Sequence, residues 1–220
     1  MAITIAITNQ KGGVGKTTTC SAFCGGLTDC GHSVLAIDLD PQGNLSFSLG
    51  AEAEDNYTMY DVFKGNCDIK DAIQCTPNCD VVAANILLSG CELELTGVGR
   101  EYILREALSQ VEDEYDYIII DTPPVLLISD ALALTSSVDG VSVVCRHQSS
   151  YVSDVSRALS ALKFAKANIL GVIVNDYKEI RQAKYGYKNY YYYSSYEYKE
   201  TIYYTFNLCD ALWQYHRMCR

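Results

Sequence analysis

Residues 9–18 read NQKGGVGKTT, and the fold turns on how this stretch is read. Before it, Ala2–Thr8 alternates and is β-branched, as a strand would be; after it, Lys16–Cys30 carries apolar residues at helical spacing, with Gly31 as its expected C-cap. A strand that passes through glycines into a helix N-terminus is the setting in which a loop wraps phosphate. The glycines let backbone N–H groups turn inward, and the helix dipole favours an anion there. Gly12, Gly13, Val14 and Gly15 would form the cradle, with Thr18 beside it. Lys16 would reach the β- and γ-phosphates of ATP, and the Thr17 hydroxyl would ligate Mg²⁺. The spacing GxxxxGK[ST] is not met, because Gln10 stands where its first glycine would be. A second lysine, Lys11, opens the loop instead.

Two further strands end in carboxylates. Ser33–Asp38 reads SVLAID and leads on to Asp40, while Tyr115–Asp121 reads YDYIIID. In an open α/β sheet the ligand lies beyond the carboxyl ends of the strands, and all three aspartates fall there. Asp38 and Asp121 are candidates for organising magnesium, and Asp38 and Asp40, with Lys11 and Lys16, for the catalytic step. Strand signals at Asp80–Ala84, Val138–Arg146 and Ile169–Asn175 alternate with helical ones at Gly99–Val111 and Ser153–Ala167. Residues 41–76 are mixed, with a short helix expected over Met59–Lys64. This order predicts an α/β fold, a mostly parallel sheet flanked by helices on both faces.

Composition agrees with one such domain of 220 residues: 49% of residues are hydrophobic and 20% charged. No apolar run is long enough for a membrane span, and MAITIAITNQ lacks the features of a signal peptide, so the expected setting is the cytoplasm. The ten cysteines then read as free thiols, mostly filling the core; of the two CxxxC spacings, Cys20/Cys24 and Cys75/Cys79, the first would share one helix face and admits a metal or cluster bridging two subunits. The net charge of −10 works against non-specific DNA binding. Lys163, Lys166, Lys178, Arg181, Lys184 and Lys188 nevertheless concentrate positive charge in the last third.

KGGVGKTT, DLDPQGN and DTPP together resemble the deviant Walker A ATPases of the ParA/MinD class. Residues 1–124 resemble the ParA partitioning ATPases of Soj type through NQKGGVGKTTT, IDLDPQGNLS, AANILLSGCELEL and YDYIIIDTPP. The resemblance implies an ATP-dependent homodimer in which Lys11 reaches the partner's phosphates and Gly12 lies at the crowded contact. It further implies that Asp40 orients the attacking water and that Asn175 contacts adenine. A DNA-bound activator protein and recruitment to the nucleoid would follow.

Residues 125–200 are similar instead to the bacterial tyrosine autokinases of exopolysaccharide export. That likeness implies transfer of the γ-phosphate to a C-terminal tyrosine cluster, here Tyr190, Tyr191, Tyr192, Tyr193, Tyr196 and Tyr198, and a membrane chain-length regulator as partner at the inner membrane face. Residues 177–204 hold eleven tyrosines, where ordinary composition gives about one. The chain thus divides into an expected ATPase domain over 1–176 and a tyrosine-rich, mobile or loosely attached tail over 177–220. An adhesive surface is the plainer use of so many tyrosines. A cysteine-using metallochaperone or reductase is a third class.

Overall fold

The first strand, β1 (Ile3–Thr8), lies inside a single sheet. The computed structural model describes residues 1–90, 100–124, 134–177 and 203–204. Among these, β1 is joined by β2 (Val34–Asp38), β3 (Ile73–Cys75), β4 (Asp80–Val82), β5 (Tyr117–Asp121), β6 (Gly140–Arg146), β7 (Ile169–Asn175) and the two-residue β8 (Tyr203–Tyr204). Their order is β3-β4-β2-β5-β1-β6-β7-β8, and every pairing is parallel except β3 with β4. The helices are α1 (Lys16–Asp29), α2 (Asn44–Leu49), α3 (Met59–Lys64), α4 (Arg100–Ser109) and α5 (Val152–Phe164), with a 3₁₀ turn at Ile69–Ala72.

The period of two along the inner strands sorts the core into two layers. Leu35, Ile37, Ile118 and Ile120 meet Met59 and Val62 of α3, Leu104 and Leu108 of α4, and Leu162 of α5. On the other face Val34, Ala36 and Ile119 meet Cys20 and Cys24 of α1 and Leu45 and Leu49 of α2. Strands covered on both faces must be apolar at every position, which is why YIIID and VLAID read as unbroken runs. Burying each of these isoleucines contributes roughly 1.5–3 kcal/mol before the entropy of ordering is set against it.

The architecture expected from the sequence is the one observed, with shifted boundaries. Helix α1 ends one residue early: Cys30 is its cap, and Gly31 follows in the left-handed region at φ 89°. The strand expected over Asp80–Ala84 stops at Val82 and is fourth in chain order, because β3 precedes it as an antiparallel partner. Helix α2 was not foreseen within residues 41–76. It is only six residues long and is bounded by two left-handed glycines, Gly43 and Gly50.

Cys20, Cys24 and Cys79 are buried as core filler, whereas Cys75 is exposed, so the second CxxxC spacing does not make a pair. No disulfide joins the described cysteines, and no cluster of three or more His, Cys, Asp or Glu among the described residues could hold a metal. No helix among the described residues is long and apolar enough to cross a membrane. The six candidate phosphoacceptor tyrosines, 190–193, 196 and 198, lie outside the described residues.

Candidate nucleotide site

Register brings the site together. Asp38 at the end of β2 pairs with Asp121 at the end of β5, and Asp121 lies beside Ile7 of β1. The loop that leaves β1 therefore starts next to two carboxylates. It is fastened to strands that arrive much later in the chain. The Asn9 side-chain amide donates to the Val144 carbonyl of β6, and its oxygen accepts from the Lys11 N–H at 3.2 Å. The Asn175 amide at the end of β7 donates to the Val14 carbonyl at 3.1 Å. Gly15 has φ 99°, and a Cβ there would overlap that same Asn175 amide. Both the left-handed backbone and the close approach require glycine.

Lys16 and Thr17 open α1 and face the strand ends. Lys16 is buried to 6% exposure, and burial lowers its pKa against the opposing pull of Asp121 and Asp40. The Thr17 hydroxyl donates to Asp121 Oδ2 at 2.6 Å. Asp121 Oδ1 is buried and has no hydrogen-bond partner among the described residues. Burial, reinforced by Asp38 and Asp40, pushes the Asp121 carboxyl up to about 7, against the Thr17 hydrogen bond and the Lys16 charge.

Asp38 is fully buried, and both of its oxygens are taken. Oδ1 accepts from the Asp40 N–H at 3.0 Å, while Oδ2 accepts from the Ser46 N–H at 2.9 Å and the Ser46 hydroxyl at 2.8 Å. Burial raises its pKa, and those three donors hold it back. The Ser46 hydroxyl accepts in turn from the Ala84 N–H at 3.0 Å, so its own proton is free only for Asp38. Asp40, 9% exposed, lies close enough to Lys16 for its charge to act on the ammonium, and its Oδ1 accepts from the Gln42 N–H at 3.0 Å.

These residues fit a magnesium-bound nucleotide. An orphaned carboxylate oxygen beside a threonine hydroxyl, with more carboxylates than cations around it, lacks positive charge. Because no cage of three ligands exists among the described residues, an ion here would share its coordination with phosphates, as Mg²⁺ commonly does. Asp121 and Thr17 would hold it.

The structure thus brings Lys16, Thr17, Asp38, Asp40 and Asp121 together, with Asn175 braced against the loop. Lys11 points elsewhere: its ammonium donates to the Ser149 carbonyl at 2.6 Å and lies 5.4 Å from the Tyr151 ring centroid. A Cβ on Gly12 would meet nothing within 4 Å among the described residues, so no crowding from them requires glycine there. Thr18 is exposed, and it is Thr19 whose hydroxyl bonds back to the Gly15 carbonyl. Asn9 and Ser46 were missed by sequence reasoning. The polar residue closing an apolar strand was the only available sign of Asn9, and Ser46 carries none.

A family model described as an AAA domain matches residues 2–170. The match runs well past residue 124, so residues 125–170 belong to the same domain as the phosphate loop. The chain is 41% identical over 169 residues to the sporulation initiation inhibitor protein Soj of Bacillus subtilis, covering 75% of this chain and 66% of Soj. It is 44% identical over 139 residues to the chromosome partitioning protein ParA of Caulobacter vibrioides, covering 60% of this chain and 52% of ParA. The chain therefore spans between about half and just under two thirds of these curated relatives. Among solved structures, cobyrinic acid a,c-diamide synthase from Mycobacterium smegmatis with bound ADP and magnesium superposes with a TM-score of 0.74 at 33% identity, covering 80% of this chain and 75% of that one. The kinase domain of the Escherichia coli tyrosine kinase ETK shares the fold, with a TM-score of 0.69 at 24% identity over 85% of this chain and 72% of that one.

Proposed function

The chain belongs to the AAA-domain family, and we infer that it binds and hydrolyses MgATP as an ATP-gated dimer switch in partitioning or positioning. The observation that carries this is Asp121, a buried carboxylate with one oxygen on the Thr17 hydroxyl and the other without a partner, beside Lys16. The bound ADP and magnesium of the related synthase structure and the partitioning role in the name of the ParA relative support the same reading.

Residues of this chain divide the work. The N–H groups of Gly12–Gly15 and Lys16 bind phosphate, Thr17 and Asp121 hold the cation, and Asn175 keeps the loop in place and flanks the base. Magnesium, when bound, neutralises phosphate charge that would otherwise resist attack. Asp40, on the rim, orients the water. Asp38 fixes the Asp40 loop through the hydrogen bond from the Asp40 N–H. Lys11 leaves Ser149 and reaches the phosphates of a second copy, whose approach leaves no room for a side chain on Gly12. A DNA-bound activator protein would accelerate the cycle and bring the chain to the nucleoid.

The density of tyrosines over residues 177–204 favours a second reading, a tyrosine autokinase governed by a membrane chain-length regulator. One experiment separates the two. The pure chain and Lys16→Ala are incubated with MgATP, and both released phosphate and intact mass are followed. Phosphate release without a mass change, absent from the variant, is expected. Mass steps mapping to Tyr190–Tyr193, Tyr196 or Tyr198 would make it an autokinase, and neither signal would contradict both.

A further inference from the structure

Helix α1 covers one face of the sheet, and two thiols meet beneath it. Cys79 ends the turn between β3 and β4. With Val81 and Ala83 it alternates, at a period of two, onto the face where Cys20 and Cys24 of α1 pack. Cys24 has no exposure, while Cys79 keeps 8%. The two side chains are hydrogen-bonded to each other, the Cys24 thiol donating to the Cys79 sulfur. Cys20, one turn earlier, is engaged elsewhere, since its thiol donates to the Ile120 carbonyl at 3.8 Å. The turn holds Cys79 in place: its carbonyl accepts from the Thr76 hydroxyl at 2.7 Å and from the Thr76 N–H at 3.3 Å. Neither thiol has a part in the nucleotide site.

We propose that Cys24 and Cys79 form a peroxide-responsive pair, in which Cys79 is the sulfur that is oxidised and Cys24 the one that resolves it into a disulfide. The oxidant is hydrogen peroxide, small enough to use the opening at Cys79. The Cys79 thiolate attacks one peroxide oxygen, the O–O bond breaks, and the hydroxide that leaves takes up a proton to become water. Cys79 is then a sulfenic acid. The Cys24 sulfur attacks the Cys79 sulfur, the S–O bond breaks, and the departing hydroxide carries away the Cys24 proton as a second water. Two thiols and one peroxide thus give one disulfide and two waters.

The roles follow from the shared hydrogen bond. Donation from Cys24 lowers the Cys79 pKa against burial and the Asp80 charge, whereas the same bond, and then burial, raises that of Cys24. Cys75 is more exposed, yet its hydrogen bond to the Asp80 carboxylate raises its pKa and keeps it a thiol. Closing the sulfurs to about 2.05 Å draws the β3–β4 hairpin toward α1. That hairpin can yield, because β3 is three residues long and stands at the end of the strand order. The bond would fasten the hairpin to the helix that opens with Lys16 and Thr17, and it rests on no reading of the nucleotide site.

The test treats the reduced full chain with rising hydrogen peroxide until Cys75 is oxidised, removes the peroxide with catalase, and blocks remaining thiols with N-ethylmaleimide in urea. The unreduced digest is mapped by mass spectrometry. A peptide linking Cys24 to Cys79, lost on treatment with dithiothreitol, is expected before Cys75 reacts. In Cys24→Ala, oxidation should stop at Cys79 as an adduct with dimedone; in Cys79→Ala, Cys24 should remain open to the maleimide. The wild-type map depends on no variant's folding and decides by itself. Cys24 and Cys79 both still blocked by the maleimide once Cys75 has reacted, or joined only to other cysteines, would overturn the proposal. So would dimedone on Cys24 in place of Cys79, or the same link forming as fast in the urea-unfolded chain, where the folded contact is gone.

Discussion

Asp121 sits fully buried with its carboxyl pushed up to about 7, first by that burial. An unfolded aspartate titrates near 4, so between about pH 4 and about pH 7 the folded chain keeps a proton that the unfolded chain has released. The sign follows: this contribution to stability is present below about pH 4 and is lost as pH rises through about 7, a change of a few kcal/mol. Replacing Asp121 by Asn removes the titration, so the urea midpoint of Asp121→Asn should gain on wild type as pH rises from about 5 to about 8. A gap that stays constant would contradict the account. Lys16 and Asp40 separate binding from turnover. Lys16→Ala should abolish nucleotide binding, while Asp40→Ala should bind ATP and lower phosphate release by roughly a hundredfold or more. Equal loss of binding in the two would contradict those roles. Lys16, Thr17 and Asp121 were legible because a glycine loop and a carboxylate-ended apolar strand are local patterns. The part Asp38 plays was not, because two of its three donors are backbone N–H groups, which leave no trace in the letters.

At the scale of elements, the phosphate loop is held by β6 and β7, which follow it by more than a hundred residues. Asn175 both donates to Val14 and fills the space in front of Gly15. Gly15→Ala would meet strained backbone as well as that amide, at a cost of about 1–3 kcal/mol in unfolding free energy. In an Asn175→Ala background the same substitution should cost less, because only the backbone strain remains; urea titration of the four proteins in the cycle measures the difference. Additive costs would show that the contact does not matter. The strands that carry the site were readable from unbroken apolar runs, and Ile169–Asn175 matched to the residue. Elements β3 and α2 were not: a three-residue strand and a six-residue helix are too short to show a period, and tertiary packing decides them.

For the whole molecule, the sheet order gathers the ends of β1, β2 and β5 into one edge, and every residue assigned to the phosphates lies along it. Lys11 lies on that edge too, held by the Ser149 carbonyl beside the exposed ring of Tyr151 rather than by the site. If Lys11 completes the site of a second copy, Lys11→Ala should still bind ATP as a monomer and fail to dimerise, which gel filtration with ATP would read. Nothing in one chain's sequence could display that geometry, since it belongs to two chains. The central claim is that nucleotide controls assembly, and the most direct test is light scattering of the full chain in magnesium with ATP or ADP, beside Lys16→Ala. The account predicts a doubled mass with ATP alone, absent from the variant. An unchanged mass with both nucleotides would contradict it.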